Sequence, residues 1–326
     1  MSGPPDAGPL AGRATDATGP IGVVVMAYGT PGSFEEVEAF YTDVRRGRPP
    51  SPEQLADLER RYAAVGGTSA LTARTTEQVE TIAAALEAIS PGGFVCRYGS
   101  KHAEPKIEEA VGELVAAGAT ALVGVVLAPH YSSASVGEYL ERAGAEAARL
   151  GRRASFLKDW HDEPVLVDLL AERVVEAFGA LGASVTDEDV ELLVTAHSLP
   201  VRVIEAGDGY DERLAETARL VADAAGVACW RVCWQSAGRT PEPWIGPDVL
   251  EVLRSLPSKG VRAAVVCPAG FTSDHLEVNY DLDVEASRLA GTLGLGFART
   301  ASLNAEPRLC AMLAARLAEL AAGLDA

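Results

Sequence analysis

Cysteine, long apolar runs and positive charge are all scarce in this chain of 326 residues, and each scarcity excludes something. Five cysteines, Cys96, Cys229, Cys233, Cys267 and Cys310, are scattered, four of them in or near apolar runs. An odd number without framework spacing points to buried thiols in a reducing compartment, not to a disulfide scaffold. Cys229 and Cys233 are the close pair, and on one strand they would stand about 13 Å apart at about 3.3 Å per residue. That is too far for a single metal ion, so no cysteine metal site is assigned. The first apolar segment, Ile21 to Ala27, is too short to span a bilayer, and no run of about 20 apolar residues follows. Residues 1–19 lack the basic start and apolar middle of a secretory signal, and are expected to form a disordered tail on a cytoplasmic protein. Lysine and arginine total 28 against 46 acidic residues, a net charge of −18. Nucleic acid is therefore not an expected partner, since phosphate neutralisation needs a basic face. An acidic surface suits solubility and attracts cations.

What is present is alternation. Apolar runs near 21–28, 93–98, 121–128, 154–158, 191–197, 229–234, 262–268 and 295–299 read as strands. Between them fall amphipathic helical segments near 33–46, 51–64, 73–89, 104–117, 135–150, 163–180, 209–225, 246–255, 275–291 and 306–323. Such alternation predicts an α/β fold with parallel sheets flanked by helices. An internal echo divides the chain: VVVMAYGTP (23–31) and VVLAPHYS (125–132) are answered by LLVTAHSLP (192–200) and AVVCPAGFTSD (264–274). Two similar doubly wound, Rossmann-like lobes follow, about 20–160 and 161–326, with strand ends facing a shared cleft. The C-terminal helix could pack back on the first lobe. Three consecutive helical stretches from Ser33 to Ile89 interrupt the alternation and suggest a lid or cleft wall. Arg45, Arg46, Arg48, Arg60 and Arg61 cluster there, which suits an anionic, carboxylate-bearing substrate. For Arg45 and Arg46, cations at a helix C-terminus explain the pattern equally well.

Two stretches carry candidate chemistry. In ELLVTAHSLP (191–200) a buried strand runs into a polar turn stopped by Pro200, placing His197 where ligands bind in open α/β sheets. In DHLEVNYDLDVE (274–285), Asp274 precedes Glu277 by three, and Glu277, Asp281 and Glu285 are spaced by four. That keeps them on one helical face with a drift of about 40° per step, which a π-type widening would reduce. An acidic stripe can be a plain solvated face. This one starts at the cleft end of a strand, where like charges need a cation or proton among them. His197 and Glu277 would make a site with too few ligands to hold an ion permanently. His275 is expected to point away from Glu277 on the helix, and structural roles are expected for His102, His130 and His161.

The order of MAYGTP (26–31), YTDVRRGRPP (41–50), RYAAVGGTSAL (61–71), LAPHYS (127–132), TAHSLP (195–200), CWQSAGRTPEPWIGPDV (233–249) and GFTSDHLEVNYDLDVE (270–285) resembles the ferrochelatases, which insert ferrous iron into a porphyrin. The resemblance implies a chelatase-type fold with His197 and Glu277 as the catalytic, iron-binding pair. Asp281 and Glu285 would form a relay for metal or protons, and Tyr28 would be an axial group on the opposite face of the macrocycle. Porphyrin contacts are implied at Arg45, Arg61, Tyr62, Ser69 and Tyr139. The arginine-rich lid, Tyr28 and the missing membrane segment resemble the enzymes that act on coproporphyrin III in haem biosynthesis, with protoporphyrin IX as the alternative substrate. Iron would be a substrate, with no tightly bound cofactor. An iron–sulfur cluster is not expected, because Ala134 follows the YSS turn where some relatives have cysteine, and no cysteine follows Cys310. A monomer is implied, with at most transient contacts to other haem-pathway enzymes. The rival readings are a cobalt chelatase of the same architecture and a non-catalytic tetrapyrrole carrier.

Overall fold

The computed structural model describes residues 19–68, 70–181 and 189–325. The expected tail lies outside these, except Gly19, and so does Ser69. Strands form where the apolar runs predict them: β1 (Ile21–Ala27), β2 (Phe94–Ser100), β3 (Ala121–Val126), β4 (Arg153–Leu157), β5 (Val190–His197), β6 (Trp230–Gln235), β7 (Ala263–Cys267) and β8 (Gly296–Arg299). Val23, Val24 and Val25 are all fully buried, as a strand covered on both faces requires. The first sheet has the order β2-β1-β3-β4 and the second β6-β5-β7-β8, every pairing parallel. The same order thus occurs twice, which gives the sequence echo its structural meaning. In each sheet the direction of winding reverses between the first and third strands, at β1/β3 and at β5/β7. Such switch points open a crevice beyond the strand ends.

The helices are α1 (Val37–Val44), α2 (Pro52–Ala64), α3 (Ala70–Ile89), α4 (Ile107–Ala116), α5 (Val136–Arg149), α6 (Pro164–Ala180), α7 (Val201–Glu205), α8 (Tyr210–Ala225), α9 (Val249–Ser255), α10 (Leu276–Val278), α11 (Ser287–Leu293) and α12 (Pro307–Asp325). A π-helix, Asn279–Ala286, joins α10 to α11. Alternate strand residues part to two sides. Val24 and Met26 face α4 and α5 in one outer core, and Leu193, Ala264 and Val266 face α9, α11 and the π-helix in the other. Val23, Val25, Leu192, Val194 and Val265 face inward to a single central core, shared by both sheets and filled from α3, α6, α8 and α12. α12 follows β8 yet packs on α3, β3 and β4.

Three local features differ from the sequence expectation. First, α3 is a covering helix: its Ile82 and Leu86 are fully buried in the central core, so only α1 and α2 stand clear of the layers. The start of α2 is fixed locally, with Pro52 at its first position and a reciprocal Ser51/Gln54 capping box. Second, the short α7, absent from the helices expected from the sequence, begins directly after Pro200, where an absent N–H costs nothing. Third, the helix bearing the acidic stripe begins only at Leu276. His275 is fully extended (φ −156°, ψ 179°), so helical periodicity fails for Asp274 and His275. Asp274 leaves the stripe and instead accepts hydrogen bonds from Ser302 Oγ (2.8 Å) and Asn304 Nδ2 (3.0 Å).

Candidate active site

The two switch points deliver four side chains to one cleft of about 380 Å³. Tyr28 follows β1 and His130 follows β3; His197 ends β5 and Glu277 follows β7. Tyr28 and His197 therefore occupy equivalent positions in the two sheets, as do His130 and the segment bearing Glu277.

His197 is held from three sides. Its Nδ1–H donates to Ser198 O (2.5 Å), Tyr210 Oη donates to its carbonyl (3.1 Å), and Ser198 is tied to Gln235 O and Ile245 O. With Nδ1 occupied, Nε2 is the free ring nitrogen, and it lies 3.6 Å from Glu277 Oε1. His275 Nε2 lies 3.5 Å from the other oxygen of Glu277. The expectation that His275 points away is thus overturned, because its extended backbone lets it reach past the first helical turn. Desolvation in the cleft disfavours the imidazolium, but Glu277 outweighs it and carries His197 up to about 9. Desolvation likewise works against the Glu277 carboxylate, yet the two imidazoles hold it well below the usual range.

Asp281 lies one turn further on, within the π-helix. The wider i→i+5 turn rotates less per residue, opposing the α-helical drift along Glu277, Asp281 and Glu285. Burial, with Glu277 and Glu285 nearby, pushes Asp281 up to about 6 despite a hydrogen bond from Ser236 Oγ (2.5 Å) and Arg61 at 3.7 Å. Glu285 is half-buried beyond it.

Tyr28, Tyr62 and Tyr139 line the cleft with His197 and Glu277. Confinement raises the Tyr28 phenol well above its usual value, with Glu277 adding to the effect, so it is a neutral oxygen at physiological pH. The Tyr28 ring meets His102 edge-on at 4.7 Å, and His102 Nδ1 lies 2.6 Å from Asp43. The arginines stand differently. Arg45 caps α1 at the rim, its guanidinium over the cleft-lining Tyr41. Arg61 pairs with Asp57 one turn back in α2 (3.2 Å) and reaches across to Asp281 and the face of Tyr280 in the π-helix. Lys101, at the end of β2, lines the cleft between Glu138 (2.5 Å) and the Tyr139 ring, a role the sequence reading missed. Its place beside His102 after a predicted strand was the available signal. Among the described residues, no group of three or more histidine, cysteine or acidic side chains is arranged to hold a metal ion, and no helix is long and apolar enough to cross a membrane.

Two parallel sheets wound in the same order, with histidine and carboxylate meeting at a switch-point cleft, define a two-lobed α/β protein of the chelatase class. Among solved structures, the fold resembles SirB from Bacillus subtilis (TM-score 0.57, 14% identity, covering 94% of this chain and 97% of that one). It also resembles CbiX, described as the terminal enzyme of sirohaem biosynthesis in denitrifying bacteria (TM-score 0.51, 17% identity, 91% and 98% covered). The family model described as Ferrochelatase matches residues 20–320, and the chain belongs to the ferrochelatase family. Its relatives include the coproporphyrin III ferrochelatases of Geobacillus sp. strain WCH70 (45% identical, covering 90% of this chain and 96% of the relative) and of Bacillus subtilis strain 168 (43%, 90% and 96%).

Proposed function

We propose that this enzyme inserts Fe2+ into coproporphyrin III in haem biosynthesis, giving iron coproporphyrin and two protons. The observation that carries the proposal is the His197–Glu277 pair, 3.6 Å apart, in a cleft that also receives Tyr28 from the other sheet. The coproporphyrin III named for the relatives at 45% and 43% identity supports the choice of substrate. So does the arginine cluster at the end of α1, where Arg45 stands over the cleft-lining Tyr41 in an otherwise acidic protein. The enzyme acts in the cytoplasm as a monomer, and no resident cofactor takes part.

A flat porphyrin carries two N–H groups where the metal must go. The cleft walls, with α1 and α2 as the lid, grip the ring by its edges and spend carboxylate-binding energy on bending it, which exposes a pyrrole lone pair. Arg45 and Arg61 bind propionates, Arg61 by exchanging Asp281 for substrate. Tyr62, Tyr139 and Ser69 complete the ring contacts. His197, charged beside Glu277 in the unliganded protein, first passes its Nε2 proton to the carboxylate line, and Nε2 then takes a pyrrole proton or holds the incoming iron, since Nδ1 is committed to Ser198. Glu277 moves the proton or metal along Asp281 and Glu285. Tyr28 offers its oxygen to the metal from the first sheet.

Anaerobic turnover with ferrous iron and either coproporphyrin III or protoporphyrin IX tests this reading. Fast insertion into coproporphyrin, lost in His197→Ala and in Glu277→Gln, is expected. Preference for protoporphyrin overturns the substrate alone, whereas tight porphyrin binding without insertion makes the protein a carrier.

A further inference from the structure

The inner end of the cleft, away from the half-exposed Tyr28, is walled by polar side chains that are almost fully buried: Thr30, Thr75, Gln78, Thr272 and Ser273. Three of them have their hydroxyl protons committed, and Gln78 has one of its two N–H donors committed. Thr30 Oγ1 donates to Thr68 O (2.8 Å), Thr272 Oγ1 to Leu127 O (3.1 Å), Ser273 Oγ to Gln78 Oε1 (2.9 Å) and Gln78 Nε2 to Asn304 O (3.1 Å). Thr75, fully buried, has no partner for its hydroxyl. The exception is sharper within the helices, where threonine can satisfy itself by bonding the carbonyl four residues back. Thr42, Thr76, Thr81, Thr217 and Thr292 all do so, at 2.7–3.2 Å. Thr75, one position before Thr76 on the same helix, does not. Leaving a buried hydroxyl without a partner costs about 1–3 kcal/mol, which an incoming acceptor would recover.

Leu71, Thr75 and Gln78 recur at helical spacing and present one face of α3 to the cleft. A ligand filling the cleft would bring its edge to this end, and because Thr75 is closed to water in the unliganded protein, the wall must shift for its O–H to meet an acceptor at that edge. Building on the proposed function, we infer that Thr75 is a specificity-determining residue that donates a hydrogen bond to an inward-pointing propionate carboxylate of coproporphyrin III. A macrocycle with carboxylates on all four rings cannot turn every one of them to the rim. Protoporphyrin, with two propionates, can place both among the arginines and send vinyl groups inward, where Thr75 gains nothing.

Thr75→Val keeps shape and removes the hydroxyl, while Thr75→Ser keeps the hydroxyl. Affinity for each porphyrin is read from fluorescence quenching without metal, turnover from metalloporphyrin absorbance and stability from thermal melts of the unliganded protein. Thr75→Val is expected to bind coproporphyrin III about tenfold more weakly, the weight of one hydrogen bond to a charged group, with protoporphyrin affinity unchanged. Thr75→Ser stays near wild type for both. Unliganded Thr75→Val melts at or above the wild-type temperature, because an unsatisfied polar group has been removed. Unchanged coproporphyrin affinity in Thr75→Val, an equal loss for both porphyrins, or a lowered melting temperature overturns the inference while the proposed function stands. A wild-type protein that does not take up coproporphyrin overturns both.

Discussion

His197 and Glu277 come from separate strand ends of the second sheet and face each other at 3.6 Å, while the second oxygen of Glu277 meets His275 at 3.5 Å. One carboxylate thus serves two imidazoles, and its charge sets the protonation of His197. Replacing it with an amide removes the charge and leaves the desolvation. In Glu277→Gln the His197 pKa is therefore expected to fall from about 9 by about 1–3 units. Titration of the His197 Cε1 proton by NMR reads this directly, and an unchanged value would mean that the pair is not coupled.

Asp281 separates an enzyme from a carrier. It lies beyond Glu277, 11% exposed, and pairs with Arg61 and Ser236. If it relays protons or metal, Asp281→Asn slows iron insertion by about a hundredfold, the lower end of what a positioned proton-transfer group contributes. Porphyrin affinity, read by fluorescence quenching, stays within about twofold. Loss of affinity with an intact insertion rate would mark Asp281 as a binding residue.

His130 gives acid sensitivity with a definite sign. The single proton of Thr217 Oγ1 is shared between the carbonyls of His161 and Arg213, so the oxygen must accept from His130 Nε2–H at 2.9 Å, and Nδ1 is left without a partner. Burial pushes this imidazole down from 6.5 to about 3, with the nearby His161 adding to the shift. Between those values the unfolded chain holds a proton that the folded one lacks. Stability from this group is complete above pH 6.5 and falls by about 1.4 kcal/mol per unit as the pH drops towards 3. His161 opposes it: burial would lower this imidazole, but Asp159 and Glu216 outweigh that and raise it, so its contribution is present at low pH. Comparing denaturant unfolding of wild type and His130→Gln at several pH values isolates the His130 slope, which the variant should lack.

The central strands β1, β3, β5 and β7 were legible because each sits in a buried run whose alternate residues must face two cores, and Val23 to Met26 show both faces filled. His197 and Glu277 were legible because a strand end followed by a polar turn is where a doubly wound sheet exposes chemistry. What escaped depended on contacts distant in sequence. Asp274 left the acidic stripe because Ser302 and Asn304 lie across from it. Arg61 faces Asp281 because α2 crosses to the second sheet, and composition showed its charge without its direction. Extended backbone at His275 defeated the helical argument, and the burial of α3 followed from the return of α12, a contact no local pattern contains.

Gly270 shows how closely the two arms of the site are set. It lies between β7 and the helix bearing Glu277, and its N–H donates to Thr195 O at 3.0 Å. A Cβ at this position would stand 2.4 Å from the Cβ and 2.8 Å from the Cα of Ala196, the residue before His197. Ala196 is fully buried in the strand and cannot give way. Gly270→Ala must therefore move the loop and carry Glu277 away from His197, with an overpacking cost of about 1–3 kcal/mol. The expected result is a lowered melting temperature, a His197 pKa displaced towards its ordinary value, and slowed iron insertion. Gly179→Ala in α6 serves as the control, since nothing lies within 4 Å of its added Cβ and helical alanine gains about 0.5–1 kcal/mol over glycine. If Gly270→Ala lowered stability yet left the His197 titration unchanged, the loop would tolerate the methyl group without moving Glu277, and the 3.6 Å separation would have to be fixed elsewhere, by His275 and the start of α10.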